Sequence, residues 1–65
     1  MTKVENDLFE RLRTTLLWNG PQKTSELQDK FPEYTRKQIL TILEQNHYTF
    51  DFNLREGSKT WRVIE

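Results

Sequence analysis

The chain has 65 residues, of which ten are basic and ten acidic, so its formal net charge is zero. This length lies near the lower limit for unaided folding, and we interpret residues 1–65 as one domain whose aromatic residues are needed in the core. With no cysteine and a single histidine, the chain offers neither a disulfide framework nor a cysteine-based or multi-histidine metal site, and we expect no cofactor.

The first predicted element is an amphipathic helix that runs from about Val4 or Asp7 to Trp18. Asn6 or Asp7 can cap its start, and Trp18 is expected to pack at its end. Gly20-Pro21 predicts the stop, because glycine can adopt the left-handed conformation and proline cannot continue a helix. The apolar face carries leucines at four-residue spacing, which is typical of a helix: Leu8, Leu12 and Leu16.

A short second helix follows an extended link. Gln22-Lys23 predicts one or two residues of strand, and Thr24 then has the character of an N-cap residue. Leu27 and Phe31 lie one turn apart, and Pro32 ends the helix. A helix of about two turns is not stable alone, so it must pack on its neighbours.

The third helix has the clearest start signal in the chain. Thr35 with Gln38 three residues later matches a capping box. Leu40 falls at the boundary of the buried face, and Asn46 or His47 is expected to end the helix in a left-handed conformation. The predicted buried face is formed by Ile39, Ile42 and Leu43. The opposite face carries Lys37, Gln38, Thr41, Glu44 and Gln45.

After the third helix the apolar pattern changes to a period of two, which is typical of strands. Tyr48, Phe50 and Phe52 share one side of the first strand, and Trp61 and Val63 alternate in the second. The segment between them, residues 53–59, predicts a hairpin loop with glycine near its tip.

This order of elements resembles that of the winged-helix family. Residues 19–21 followed by 24–27 look like that family's first-helix stop and second-helix start. Tyr34-Thr35, with the apolar residues after it, looks like the family's turn into its recognition helix, and residues 43–48 look like the exit into the wing. The resemblance implies an α+β winged helix, with three helices and a C-terminal β-hairpin wing.

The resemblance also implies binding of double-stranded DNA, with the third helix in the major groove. Arginine and glutamine suit this role because they form bidentate hydrogen bonds to guanine and adenine. The groove-facing residues would be Arg36, Lys37, Gln38 and Thr41. The phosphate contacts, which fix register rather than sequence, would come from Lys23, Ser25, Thr35, Arg55 and Lys59.

Two further interpretations remain open. Arg36 and Lys37 can form a solvated helix face, since the chain has no excess positive charge. A winged helix can also serve as a protein-interaction module, an adaptor or inhibitor, which Leu40 and Glu44 would favour. No catalytic motif is visible, so we expect a non-enzyme.

The expected setting is the cytoplasm, with association to the nucleoid if the protein binds DNA. The longest uninterrupted apolar run is Leu16-Leu17-Trp18, which predicts no membrane partner. Because one small domain reads only a few base pairs, a homodimer or a larger protein partner is expected to supply specificity.

Overall fold

The computed structural model describes residues 2–64 and shows an α+β chain with three helices and a three-stranded antiparallel sheet. In chain order the elements are α1 (Lys3–Asn19), β1 (Gln22–Lys23), α2 (Thr24–Lys30), α3 (Arg36–Gln45), β2 (Phe50–Arg55) and β3 (Ser58–Val63). The strand order in the sheet is β1-β3-β2, so β3 lies in the middle.

Helix α1 begins at Lys3, one residue before the earlier of the two predicted starts, Val4, and four before the later one, Asp7. The Thr2 hydroxyl accepts a hydrogen bond from the Glu5 N–H at 3.2 Å, and the Glu5 carboxylate accepts one from the Thr2 N–H at 3.0 Å. This capping box satisfies two free donors at once, so the predicted cap at Asn6 or Asp7 is wrong. At the other end Gly20 has φ +78°, a conformation that favours glycine, although its ψ of −168° is not left-handed helical.

The predicted cap of α2 is also wrong. Lys23 occupies the N-cap position, where its backbone N–H donates to Glu26 Oε1 at 2.9 Å. Thr24 is the first residue of the helix and is buried. Its hydroxyl accepts a hydrogen bond from Trp61 Nε1 at 3.0 Å, so this oxygen joins α2 to β3 instead of capping the helix. The helix ends before Pro32, as predicted.

Helix α3 has the predicted start and the predicted buried face. Thr35 Oγ1 accepts from the Gln38 N–H at 3.1 Å, and Gln38 Oε1 accepts from the Thr35 N–H at 2.8 Å. The predicted left-handed ending is wrong, because Asn46 has φ −112° and His47 does not have positive φ either. The Asn46 side chain donates to the Ile42 carbonyl at 2.7 Å and so covers that end of the helix.

The hairpin has longer strands and a shorter loop than predicted. Arg55 pairs with Ser58, which leaves only Glu56 and Gly57 in the turn. Both have positive φ, +52° and +79°, as a type I′ turn requires. Tyr48 precedes the strand and is exposed, so the predicted start of the strand is two residues too early.

The core lies between the helices and one face of the sheet. Trp61 and Phe50 are its largest side chains. Leu40 packs at the edge of the core, as the helical periodicity predicts, and Tyr34 from the turn before α3 packs there too. Trp18 is 82% exposed, so the prediction that it packs at the end of α1 is wrong. None of the helices within residues 2–64 is long and apolar enough to cross a membrane.

Candidate nucleic-acid interface

The first turn of α3 carries two cationic side chains that are exposed, as predicted. Arg36 and Lys37 follow directly after the capping residue Thr35. Neither makes a hydrogen bond or an ion pair with any other residue in the described range 2–64. One guanidinium group and one ammonium group are therefore available to an external anion at this turn.

The predicted groove-facing residues divide between two sides of α3. At about 100° per residue, Lys37 and Thr41 lie opposite the buried face, Arg36 lies toward the hairpin, and Gln38 lies toward α1. A surface cavity of about 500 Å³ separates α3 from the start of α1. It is lined on the α3 side by Lys37, Gln38, Thr41 and Ile42.

A second cavity, which we call the wing notch, lies between α3, the start of α2 and the tip of the hairpin. Its volume is about 400 Å³. The residues that line it are Lys23, Thr24, Ser25, Arg36, Leu40, Leu54, Gly57, Ser58 and Lys59. Four of the predicted site residues therefore meet at one place although they come from four segments of the chain: Lys23, Ser25, Arg36 and Lys59.

Lys59 is already engaged within the molecule. Its ammonium lies 3.4 Å from Glu44 Oε1 and 4.7 Å from the centroid of the Phe52 ring. The same ammonium lies 5.7 Å from the Trp61 ring centroid. The contact with Glu44 balances the negative charge that α3 presents near its C-terminal end. A phosphate contact by Lys59 would have to compete with this carboxylate.

Two other predicted residues are engaged in the capping of α3. The Thr35 hydroxyl and the Gln38 amide oxygen both accept backbone hydrogen bonds. A bidentate contact to adenine needs the amide oxygen and the amide nitrogen together. Gln38 could make that contact only by releasing the Thr35 N–H, which would weaken the start of the helix.

Arg55 does not line the wing notch; it lines another surface cavity, of about 400 Å³, together with Lys23 and Arg62. In this antiparallel ladder Arg55, Asp51 and Arg62 point away from the helices. Asp51 Oδ2 accepts from the Arg62 guanidinium at 3.1 Å. The pKa of Asp51 is lowered first by the Phe52 backbone N–H and then by that guanidinium, so this face carries a fixed negative charge beside its arginines.

Leu54 and Ser58 line the wing notch but were not predicted as site residues. The alternation of Phe50 and Phe52 continues to Leu54, and this continuation is the signal that could have identified it. Because residues 53–59 were predicted to form a loop, neither Leu54 nor Ser58 was predicted to contribute to the site. Leu54 is 69% exposed, so it gives the notch an apolar wall.

Comparison of the chain with protein-family models, with curated proteins and with solved structures finds no match. Among residues 2–64, no three histidine, cysteine, aspartate or glutamate side chains are grouped so that they could hold a metal ion.

Proposed function

We propose that this chain is a winged-helix protein that binds double-stranded DNA and places α3 in the major groove. The order α1-β1-α2-α3-β2-β3, with the hairpin at the end, supports this fold. The short helix α2 and the capped helix α3 would form the helix-turn-helix, and the β2-β3 hairpin would be the wing. The protein would act as a transcriptional regulator or accessory factor by occluding a short site or recruiting another protein to it.

The observation that carries the proposal is the pair of unengaged cations in the first turn of α3. Arg36 and Lys37 are exposed in the first turn of α3, and Arg36 also lines the wing notch beside the tip of the hairpin. Arg36 would read guanine, since its planar group can donate two parallel hydrogen bonds to the base edge. Lys37 is exposed and Thr41 is half-buried, and both line the cavity between α3 and the start of α1, where they would contact a base edge or a phosphate.

The remaining residues would position the duplex. Lys23 and Ser25 line the wing notch beside Arg36, where an ammonium and a hydroxyl suit a phosphate oxygen. Arg55 would reach a phosphate only from the far side of the sheet. Lys59 would support the wing through Glu44 and the aromatic rings, a role that differs from the phosphate contact expected from sequence.

The test is a titration of a labelled random duplex at about 50 mM and 200 mM salt. We expect binding at the lower salt, and we expect Arg36→Ala with Lys37→Ala to weaken it by about 10-fold or more. Lys37→Ala has a matched control in Lys30→Ala, since both remove one exposed lysine from a helix. No binding of the wild type at low salt overturns the proposal, and equal effects of the two lysine variants overturn the site.

A protein-interaction module remains the second proposal, and the apolar wall of the wing notch favours it. Leu54 is exposed and Leu40 is half-buried in the same cavity. Leu54→Glu is a cleaner test than Leu40→Glu, because Leu40 packs against the core. Under this proposal the wild type binds no duplex, and Leu54→Glu abolishes association with a purified protein partner. Association that persists in this variant contradicts it.

A further inference from the structure

In the part of the chain that the structure describes, residues 2–64, one side of the β2 backbone has no neighbouring strand. In the sheet order β1-β3-β2, it pairs with β3 on one side only. A two-residue turn makes the residues that flank it a hydrogen-bonded pair, and such pairs then alternate along the ladder. Here the hydrogen-bonded pairs are Arg55–Ser58, Asn53–Thr60 and Asp51–Arg62.

The two residues between these pairs turn their backbone groups to the open edge. Phe52 and Leu54 lie opposite Trp61 and Lys59, in positions where the ladder makes no hydrogen bonds. The hydrogen bond from the Ile64 N–H to the Thr49 carbonyl, at 3.0 Å, continues the same alternation beyond the strand. Phe52 and Leu54 therefore present two N–H groups and two carbonyl groups outward.

The side chains of this edge are not of the kind that prevents pairing. Edge strands are usually protected by proline, by a bulge or by charged side chains. Strand β2 has no proline and no bulge, its inward side chains are apolar, and its two charged side chains, Asp51 and Arg55, are of opposite sign. Phe52 is 40% exposed and Leu54 is 69% exposed, so apolar area remains uncovered beside the free backbone groups.

We propose that two copies of this chain associate through β2, antiparallel, about a two-fold axis that passes beside Asn53. Phe52 would then exchange two backbone hydrogen bonds with Leu54 of the partner subunit, and Leu54 with the partner subunit's Phe52. The result is one six-stranded sheet with the helices of both copies on the same face. The proposal requires no nucleic acid and is independent of DNA binding.

The charges of β2 favour a second copy of this chain as the partner that pairs with its open edge. In this register Asp51 lies opposite Arg55 of the partner subunit on one face of the sheet. Phe52 lies opposite Leu54 of the partner subunit on the other face. In the two neighbouring registers Asn53 would face Asp51 or Arg55 instead, and no opposite charges would meet. Only the proposed register places opposite charges across from each other and also places Phe52 across from Leu54. Such matching of a surface with a second copy of itself is what a two-fold symmetric interface requires.

The contacts that Asp51 makes within its own chain are compatible with this pairing. One oxygen of its carboxylate accepts from Arg62 at 3.1 Å, which leaves the other for a second guanidinium. The Phe52 N–H, which lies against this carboxylate in the single chain, would turn to the carbonyl of Leu54 of the partner subunit.

The test is sedimentation equilibrium of the purified chain at up to about 1 mM protein. We expect a concentration-dependent rise from 7.9 kDa to twice that mass. Arg55→Glu and Asp51→Lys, each alone, should raise the dissociation constant about 10-fold, because two opposite-charge pairs become like-charge pairs. An equimolar mixture of the two variants should associate as the wild type does, since each then meets its complement.

The control is Lys30→Glu, which makes the same change of charge as Arg55→Glu at an exposed position outside the sheet. It should leave the dissociation constant unchanged. A chain that stays monomeric at the highest concentration overturns the proposal. So does a dimer that is insensitive to Arg55→Glu, or a mixture of the two charge variants that fails to associate.

Amide hydrogen exchange tests the edge directly. The Phe52 and Leu54 amides should exchange more slowly as the protein concentration rises. The Asn53 amide, which is already bonded within the ladder, should change little. A dimer in which the Phe52 and Leu54 amides exchange as fast as in the monomer would associate by another surface, and the proposal would then be wrong.

Discussion

Trp61 fixes the position of α2 through a single polar atom. Its ring is buried, and its Nε1–H reaches Thr24 Oγ1, 37 residues away in sequence. A buried indole N–H without a partner is costly, so the hydroxyl at the start of α2 must stay beside β3. This bond, together with the two-residue pairing of β1 with β3, holds Lys23 and Ser25 at the wing notch.

Thr24→Val is expected to lower the free energy of unfolding by about 1–3 kcal/mol, because valine has the same shape but leaves the Trp61 N–H unpaired. Urea unfolding followed by tryptophan fluorescence measures the change. Thr24→Ser is the control, since it keeps the hydroxyl and should cost less than the valine variant. If valine and serine prove equally stable, the hydrogen bond contributes nothing to stability.

At the scale of elements, a local signal predicted the start of α3 but not the cap of α1. Thr35 and Gln38 lie three residues apart directly before an apolar face, and their capping box forms as expected. Thr2 and Glu5 make the same motif, but the more usual cap residues Asn6 and Asp7 lie between them and Leu8, the first leucine of the apolar face. The predicted start at Val4 is therefore within one residue of the observed one, whereas the predicted cap is wrong.

Where an element depends on distant contacts, the sequence was a weaker guide. Thr24 has the character of a cap, yet Trp61 uses its hydroxyl, and nothing local indicates that competition. Trp18 is large and apolar, but it lies outside the face that Leu8 and Leu12 turn to the core. The candidate site shows the same division: the exposure of Arg36 and Lys37 was predicted, whereas the engagement of Lys59 with Glu44 was not.

The turn of the hairpin has an unfavourable residue at a position that asparagine prefers. Glu56 has φ +52°, in the left-handed region, and Gly57 follows it as type I′ turns require. Glu56→Asn is expected to raise the free energy of unfolding by roughly 0.5–1 kcal/mol, because asparagine tolerates this conformation better. Thermal unfolding measures it.

Gly57→Ala is the control for this turn. A Cβ at Gly57 would meet nothing within 4 Å, so any loss of stability comes from its φ of +79° alone. We expect a loss of about 1 kcal/mol. A neutral Gly57→Ala together with a neutral Glu56→Asn would mean that the turn does not keep this conformation in solution.

At the scale of the whole molecule, the net charge is zero, but some cationic side chains are paired with carboxylates and others are not. Several cations are engaged with carboxylates of the same chain, as in Arg11 with Glu33 and Lys59 with Glu44. Among residues 2–64, Arg36 and Lys37 have no such carboxylate partner. What an approaching polyanion meets at α3 is set by these unengaged groups and not by the sum over the chain.

This distribution predicts how DNA affinity should depend on salt. If Lys23 and Lys37, the unengaged lysines near α3, each contact one phosphate while Arg36 reads a base, the logarithm of the association constant should fall with the logarithm of salt concentration at a slope of about −1.8. Arg36→Ala with Lys37→Ala should make this slope shallower by about 0.9, and Lys30→Ala should leave it unchanged. Titrations at four or more salt concentrations measure the slope. A slope near zero would mean that the neutral chain has no local cationic surface for DNA, and a slope that the double variant leaves unaltered would move the phosphate contacts away from α3.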